Sequence, residues 1–215
     1  MKKLISLILI VSMLVPACLV PVTALAAKQT FLVAESYNDQ PTGATPLGGA
    51  VASGVSKITV TNDGRDKDVE MSGKTMDSTI YYPVTTQEHI ASMYLDMLYT
   101  NGYSYTEFHV YNSENKSFVI AYIDKDGVVY AADTRITKLF PKDRETGVQI
   151  AYNAKRKKVS LYVGEKCLIS NRYAGEAAYD HIAGFGLKVK GEDGKSCLID
   201  NFAIFEGQSL VKSKD

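Results

Sequence analysis

The chain has no tryptophan, only three cysteines and three histidines, and no net charge across its 215 residues. Each shortage closes off a class of function. A balanced charge gives no electrostatic case for nucleic acid, whose binding rests on clustered Lys and Arg neutralising phosphates. The histidines, His89, His109 and His181, are isolated and lack the spacing of a zinc site. There is no Gly-x-Ser-x-Gly elbow, and neither Cys167 nor Cys197 has a neighbouring His. Beyond the N-terminus there is no long apolar run, so no membrane span is expected in the mature chain. No repeat, linker or low-complexity tract divides it.

The N-terminus is the exception. Lys2 and Lys3, the apolar run Leu4 to Val15, and Ala24-Leu25-Ala26 form the charged region, core and cleavage site of a secretory signal. Val15-Pro16-Ala17-Cys18 competes as a lipobox, but Pro16 fits it badly and the A-x-A site lies at the better distance. The chain therefore divides into a signal peptide, residues 1–26, and a single domain, residues 27–215, long enough for a sizeable core. Export permits a disulfide between Cys167 and Cys197, both on expected strands. The alternative is two small buried thiols.

What is abundant is tyrosine, with 14 residues, and short β-prone runs at roughly 8–12-residue spacing. Phe31 to Tyr37, Lys57 to Thr61, Ser78 to Val84, Ser104 to Tyr111, Ser117 to Ile123, Val128 to Ala132, Gly147 to Tyr152 and Lys158 to Val163 all read as strands. Turn residues such as Asn112 to Asn115 and Asp124 to Gly127 separate them. Residues 85–100 are ambiguous. Ile90, Met93, Tyr94, Met97 and Leu98 follow helical spacing, yet the β-rich surroundings favour an inner strand covered on both faces. The pattern as a whole predicts an all-β, two-sheet antiparallel sandwich or barrel.

Several segments carry a more specific likeness. Glu35-Ser36-Tyr37-Asn38-Asp39-Gln40-Pro41-Thr42-Gly43 near the start resembles the opening of concanavalin A-like (laminin G-like) jelly-roll domains of secreted bacterial proteins. Phe118 to Ile123 with Asp126 to Tyr130 is similar to their central strand–turn–strand, and Val148 to Tyr152 with Val159 to Gly164 to a following hairpin. Cys197 to Gly207, with Ile199-Asp200-Asn201, is similar to their closing strand. The resemblance implies a concanavalin A-like jelly roll whose first and last strands are neighbours. Such domains serve as carbohydrate-binding modules, as glycosidase or lyase domains, or as surface interaction modules.

Three constellations follow as candidate sites. In simple alternation Asp200 shares a face with Leu198, Phe202 and Ile204, where a carboxylate needs a cation or N–H donors. Paired with Glu35 and joined by Asp39, it would form an oxygen-rich site suited to structural Ca²⁺. For sugar, Tyr99, Asn101, Tyr103 and Tyr105 place aromatic rings around a Gly turn, although Tyr is also an ordinary strand residue. For catalysis, Glu107-Phe108-His109 and the turn Asp124-Lys125-Asp126 come nearest to the paired acids of a hydrolase without supplying them, and His109, Tyr111 and Arg135 are the lyase candidates. Lys155 to Lys158 reads as a hairpin turn, either touching an anionic polymer or solvated. The expected function is a secreted, cell-surface or extracellular carbohydrate-binding module without catalytic activity. A structural or protein-interaction module of the envelope is the alternative, and a polysaccharide hydrolase or lyase ranks third.

Overall fold

The computed structural model describes residues 29–49, 51–54, 57–60, 66–72, 76–191 and 195–210. The expected signal peptide over residues 1–26, with Cys18, lies outside them. Alternating apolar runs and turn residues fold into strands throughout. The first are β1 (Phe31–Glu35), β2 (Val51–Ser53), β3 (Lys57–Val60), β4 (Lys67–Ser72) and β5 (Ser78–Pro83). There follow β6 (Ile90–Leu98), β7 (Thr106–Tyr111), β8 (Ser117–Ile123), β9 (Val128–Ala131) and β10 (Thr134–Leu139). The chain closes with β11 (Thr146–Asn153), β12 (Lys158–Val163), β13 (Lys166–Tyr173), β14 (Gly184–Val189) and β15 (Ser196–Glu206).

They form two antiparallel sheets packed as a jelly-roll sandwich. Sheet A runs β13-β12-β11-β6-β15-β4-β3, with β1 also paired to β15. Sheet B runs β10-β9-β8-β7-β14-β5-β2. The inner faces meet in one core, to which sheet A gives Met93, Leu95, Ile150 and Phe202, and sheet B gives Tyr82, Phe108, Phe185 and Leu187. Each such side chain contributes about 1.5–3 kcal/mol by burial. Among the described residues no helix is long and apolar enough to cross a membrane.

The ambiguous segment is a strand. Ala91 to Met97 are all buried. Met93, Leu95 and Met97 enter the core, while Ser92 lies under the C-terminal tail and Tyr94 packs with Ala203 and Phe205 on the other face. The helix-like spacing arises from a strand covered on both sides.

The closing strand, β15, organises sheet A. It pairs with β6 along its length, while its other flank is shared: residues 196–199 pair with β4, and residues 202–205 pair with β1. At that handover the register slips between Asp200 and Ala203, and Asn201 takes φ +48°. This bulge corrects the expected alternation. An extra residue lets Cys197, Ile199, Phe202 and Ile204 all reach the core. Asp200 consequently faces out with Leu198, away from Phe202 and Ile204.

The expected disulfide is not formed, and Cys167 and Cys197 are both free thiols. Cys167 is exposed on the edge strand β13, and Cys197 is buried four strands away in the same sheet. That separation is about 19 Å at the usual strand spacing, against the ~7 Å limit for a bridge. Burial pushes the Cys197 thiol up to about 12, which leaves it an inert core residue.

Candidate functional site

Strand β7 alternates cleanly: Phe108 and Val110 point into the core, so Glu107, His109 and Tyr111 point out of sheet B. Register then assembles their neighbours. Glu107 sits opposite Tyr122 of β8 and Lys188 of β14, and Tyr122 sits opposite Tyr130 of β9. His109 is opposite Gly186, and Gly186 is opposite Tyr81 of β5. One outer face therefore carries Tyr81, Tyr105, Tyr111, Tyr122 and Tyr130. From β9 to β5 it spans four strand spacings, about 19 Å.

The tyrosines form two clusters. Tyr105, Tyr122 and Tyr130 stack in series, with ring centroids 5.4 and 4.4 Å apart and interplanar angles of 18° and 10°. All three are half-buried. Tyr81 and Tyr111 pack at 4.1 Å and 31° and form a floor. That floor depends on two strand glycines. A Cβ at Gly184 would lie 2.2 Å from the Tyr81 ring, and one at Gly186 would lie 3.0 Å from the Tyr111 ring and 2.6 Å from the Ile80 carbonyl.

A polar strip runs between the clusters. His109 Nε2 lies 3.1 Å from Glu107 Oε2, and Lys190 Nζ lies 3.5 Å from the same oxygen. Asp77 bridges Lys188 and Lys190 at 3.3 and 3.7 Å. His109 is 4% exposed, and its Nδ1 is buried without a hydrogen-bond partner in the described protein. Burial works to raise the Glu107 carboxyl, but the His109 hydrogen bond and the His109 and Lys190 charges outweigh it and hold the group below the usual range. Asp77 is likewise held low, the hydrogen bonds from Gly191 N–H and Lys188 outweighing its burial. Both are carboxylates at neutral pH, so neither supplies the protonated acid that glycoside cleavage needs. The tyrosine hydroxyls are the reverse. Burial raises Tyr81 and Tyr122 and lifts Tyr111 to about 12, so each remains a hydrogen-bond donor.

Of the sugar platform expected from sequence, only Tyr105 joins this face. Tyr99 is a core residue, 0% exposed, with its hydroxyl donating to Thr106 Oγ1 at 2.8 Å. It is therefore withdrawn from any ligand. Tyr103 turns inward, donating to the Phe140 carbonyl at 2.7 Å and packing edge-on against Tyr99. Asn101 is exposed in the connecting loop. Tyr81, Tyr122 and Tyr130 were not singled out by sequence; outward alternation and the Gly184-x-Gly186 spacing within a strand were the available signals. Of the lyase candidates, His109 and Tyr111 do share a face, but Arg135 sits beyond Tyr130 on β10, three strands from β7. A separate cleft of about 410 Å³ is lined by Lys138, Leu139, Arg144 and Lys166 among others. It lacks aromatic rings and so offers less for a sugar face.

The expected calcium residues are placed apart. Glu35 is opposite Phe202, on the inward side of β1, where Gln40 Nε2 approaches its Oε2 at 3.4 Å and burial raises its carboxyl. Asp39 is exposed in the following turn. Asp200 is on the other face because of the bulge. Among the described residues, no three His, Cys, Asp or Glu side chains are arranged to hold a metal.

No family model matches the chain, and no curated protein matches it. Solved structures do resemble it in fold. Domain 4 of AbnA, a GH43 extracellular arabinanase from Geobacillus stearothermophilus solved with arabinotriose, aligns with TM-score 0.54 and 15% identity over 83% of this chain and 93% of that one. The Emp47p carbohydrate recognition domain aligns with TM-score 0.56 and 8% identity over 83% and 98%. A sialidase aligns with TM-score 0.59 and 8% identity over 81% of this chain, which spans only 18% of that protein.

Proposed function

We propose that the domain binds an oligosaccharide along the outer face of sheet B and holds it without cleaving it, as an exported module acting at the cell surface or in the medium. The observation that carries this reading is one face joining three half-buried tyrosines, with Tyr81 and Tyr111 buried beside them, to a strip of charged hydrogen-bonding groups. Sugar C–H faces pack on aromatic rings, and hydroxyls bind fixed donors and acceptors. The 19 Å reach suits a chain of several sugars better than a single ring. Lys190 and the buried His109 hold Glu107 in place, so a ligand hydroxyl that reaches its carboxylate meets an oriented acceptor at little ordering cost. The two small solved domains that share the fold support the reading, one by its bound arabinotriose and the other by its name as a carbohydrate recognition domain.

A glycan array probed with residues 27–215 tests it, with a Tyr122→Ala/Tyr130→Ala variant beside the natural chain. Saturable binding lost in the variant is the expected result. A natural chain that captures a protein partner and no glycan would instead identify a protein-interaction module.

A further inference from the structure

The cleft of about 410 Å³ lies where the edge of sheet B meets the edge of sheet A. It is formed by the end of β10, the connection from β10 to β11, and the β12–β13 turn. Backbone bonds fix these segments. Phe140 N–H donates to the Gly127 carbonyl at 2.8 Å and Asp143 N–H to the Tyr99 carbonyl at 3.0 Å, which holds the connection against the body of the sandwich. Gly164 N–H donates to the Gly147 carbonyl at 2.8 Å, which ties the β12–β13 turn to β11. The backbone of the lining is thus set before a ligand arrives, and that lowers the ordering cost of binding.

The charge of the lining is unbalanced. It holds three cations, Lys138, Arg144 and Lys166, and one acid, Glu165, an excess of two positive charges. All four are exposed. Elsewhere Lys116, Lys142, Lys188 and Lys190 each pair with an Asp or Glu. Among the described residues no such pair is made by Lys138, Arg144 or Lys166. Leu139, Pro141, Val163 and Leu168 add an apolar surface to the same lining. Unpaired cations beside apolar side chains suit a ligand that carries a negative group on a partly apolar body.

We propose that this cleft is a second binding site, separate from the tyrosine face, for the carboxylate or phosphate group of an acidic saccharide. Arg144 offers a planar fork that takes either anion through two parallel N–H···O bonds, and the two lysines add point charges. The apolar residues receive the C–H surface of the sugar that bears the charge. Ligand sites span about 300–1,000 Å³, and this cleft lies near the small end, which fits a short saccharide segment. An acidic peptide fits less well, because its main-chain groups also need partners. The nearby N–H groups of Phe140, Asp143 and Gly164 are already bonded within the fold, and the Arg144 carbonyl accepts from Thr146 Oγ1 at 3.3 Å.

Titration calorimetry on residues 27–215 tests the site with three short probes: trigalacturonate for carboxylate, a glycerol-phosphate trimer for phosphate, and triglutamate as an acidic peptide. The expected result is saturable binding of at least one of the first two, weakening as salt rises, and binding of triglutamate at least about tenfold weaker. Arg144→Ala/Lys166→Ala should lower saccharide binding about tenfold or more. Both side chains are exposed, so the melting temperature should stay the same; should that variant fail to fold, Lys138→Ala decides in its place. Lys155→Ala/Arg156→Ala, at the other end of β12, should leave binding unchanged, and so should Tyr122→Ala/Tyr130→Ala. Loss in the tyrosine variant alone would put the acidic saccharide on the outer face of sheet B and overturn the cleft while leaving that face standing. Equal loss in the Lys155/Arg156 variant would reduce the attraction to diffuse surface charge. No binding of either saccharide probe, or equal binding of triglutamate, would also overturn the proposal.

Discussion

The two outer faces of the sandwich follow from the same strand alternation, yet they meet their surroundings differently. On sheet A the face is largely closed by the chain itself. The segment after β15 crosses it, with Ser92 Oγ donating to the Gly207 carbonyl at 2.7 Å and Gln149 Nε2 to the Ser209 carbonyl at 2.9 Å. Gln208 Nε2 reaches Ser160 and Tyr162 at 3.1 and 3.0 Å. Of its aromatic residues, Tyr94 and Phe205 are buried against Ala203, while Phe31, packed on Phe205, is 50% exposed. On sheet B, Tyr81 and Tyr111 are buried, and Tyr105, Tyr122 and Tyr130 remain half-buried beside charged groups. Tyr94 and Phe205 on the first face serve stability; the half-buried tyrosines on the second are the ones proposed for recognition.

Substitutions can break that contrast. The largest effect is expected from Phe205→Ala, which empties a sealed site. It should cost about 3–5 kcal/mol of stability, read by denaturant unfolding, and leave glycan affinity unchanged where the protein is folded. Next, Gly186→Ala drives a methyl against the Ile80 carbonyl and the Tyr111 ring. A loss of about 1–3 kcal/mol is expected, together with weakened binding, so this change touches both properties. Tyr122→Ala should do the opposite of Phe205→Ala, lowering affinity by about tenfold or more, roughly 1.4 kcal/mol, with a smaller stability change.

The smallest effect concerns pH. Because the Glu107 carboxyl is held below its usual range, its ion pairs stabilise the fold above the unfolded-state value. That contribution is lost as pH falls through the lower folded value. Glu107→Gln should therefore reduce stability at neutral pH by under about 1 kcal/mol and flatten the acid limb of a melting-temperature profile. Equal pH profiles for the two proteins would show that the strip does not couple to folding.

Much of the architecture was legible in the sequence. Turn spacing and alternation indicated two antiparallel sheets, β1 does lie beside β15, and the doubtful stretch at β6 is an inner strand. The bulge at Asn201 was not legible. One inserted residue leaves no mark in composition, yet it moves Asp200 to the opposite face and dissolves the expected pairing with Glu35. The tyrosine face was half legible. Alternation in β7 shows that Glu107, His109 and Tyr111 share a side, but Tyr81 and Tyr130 join them only through sheet order, which local pattern does not contain. Tyr99 and Tyr103 misled for a related reason, since a Gly turn between tyrosines says nothing about which rings the core will take.

The central claim is that the outer face of sheet B binds an oligosaccharide through its tyrosines. Titration calorimetry of a glycan found on the array, against the natural chain and the Tyr122→Ala/Tyr130→Ala variant, tests it most directly. The account predicts saturable binding by the natural chain and at least a tenfold loss in a variant that still folds. Equal affinity in the two proteins would contradict it.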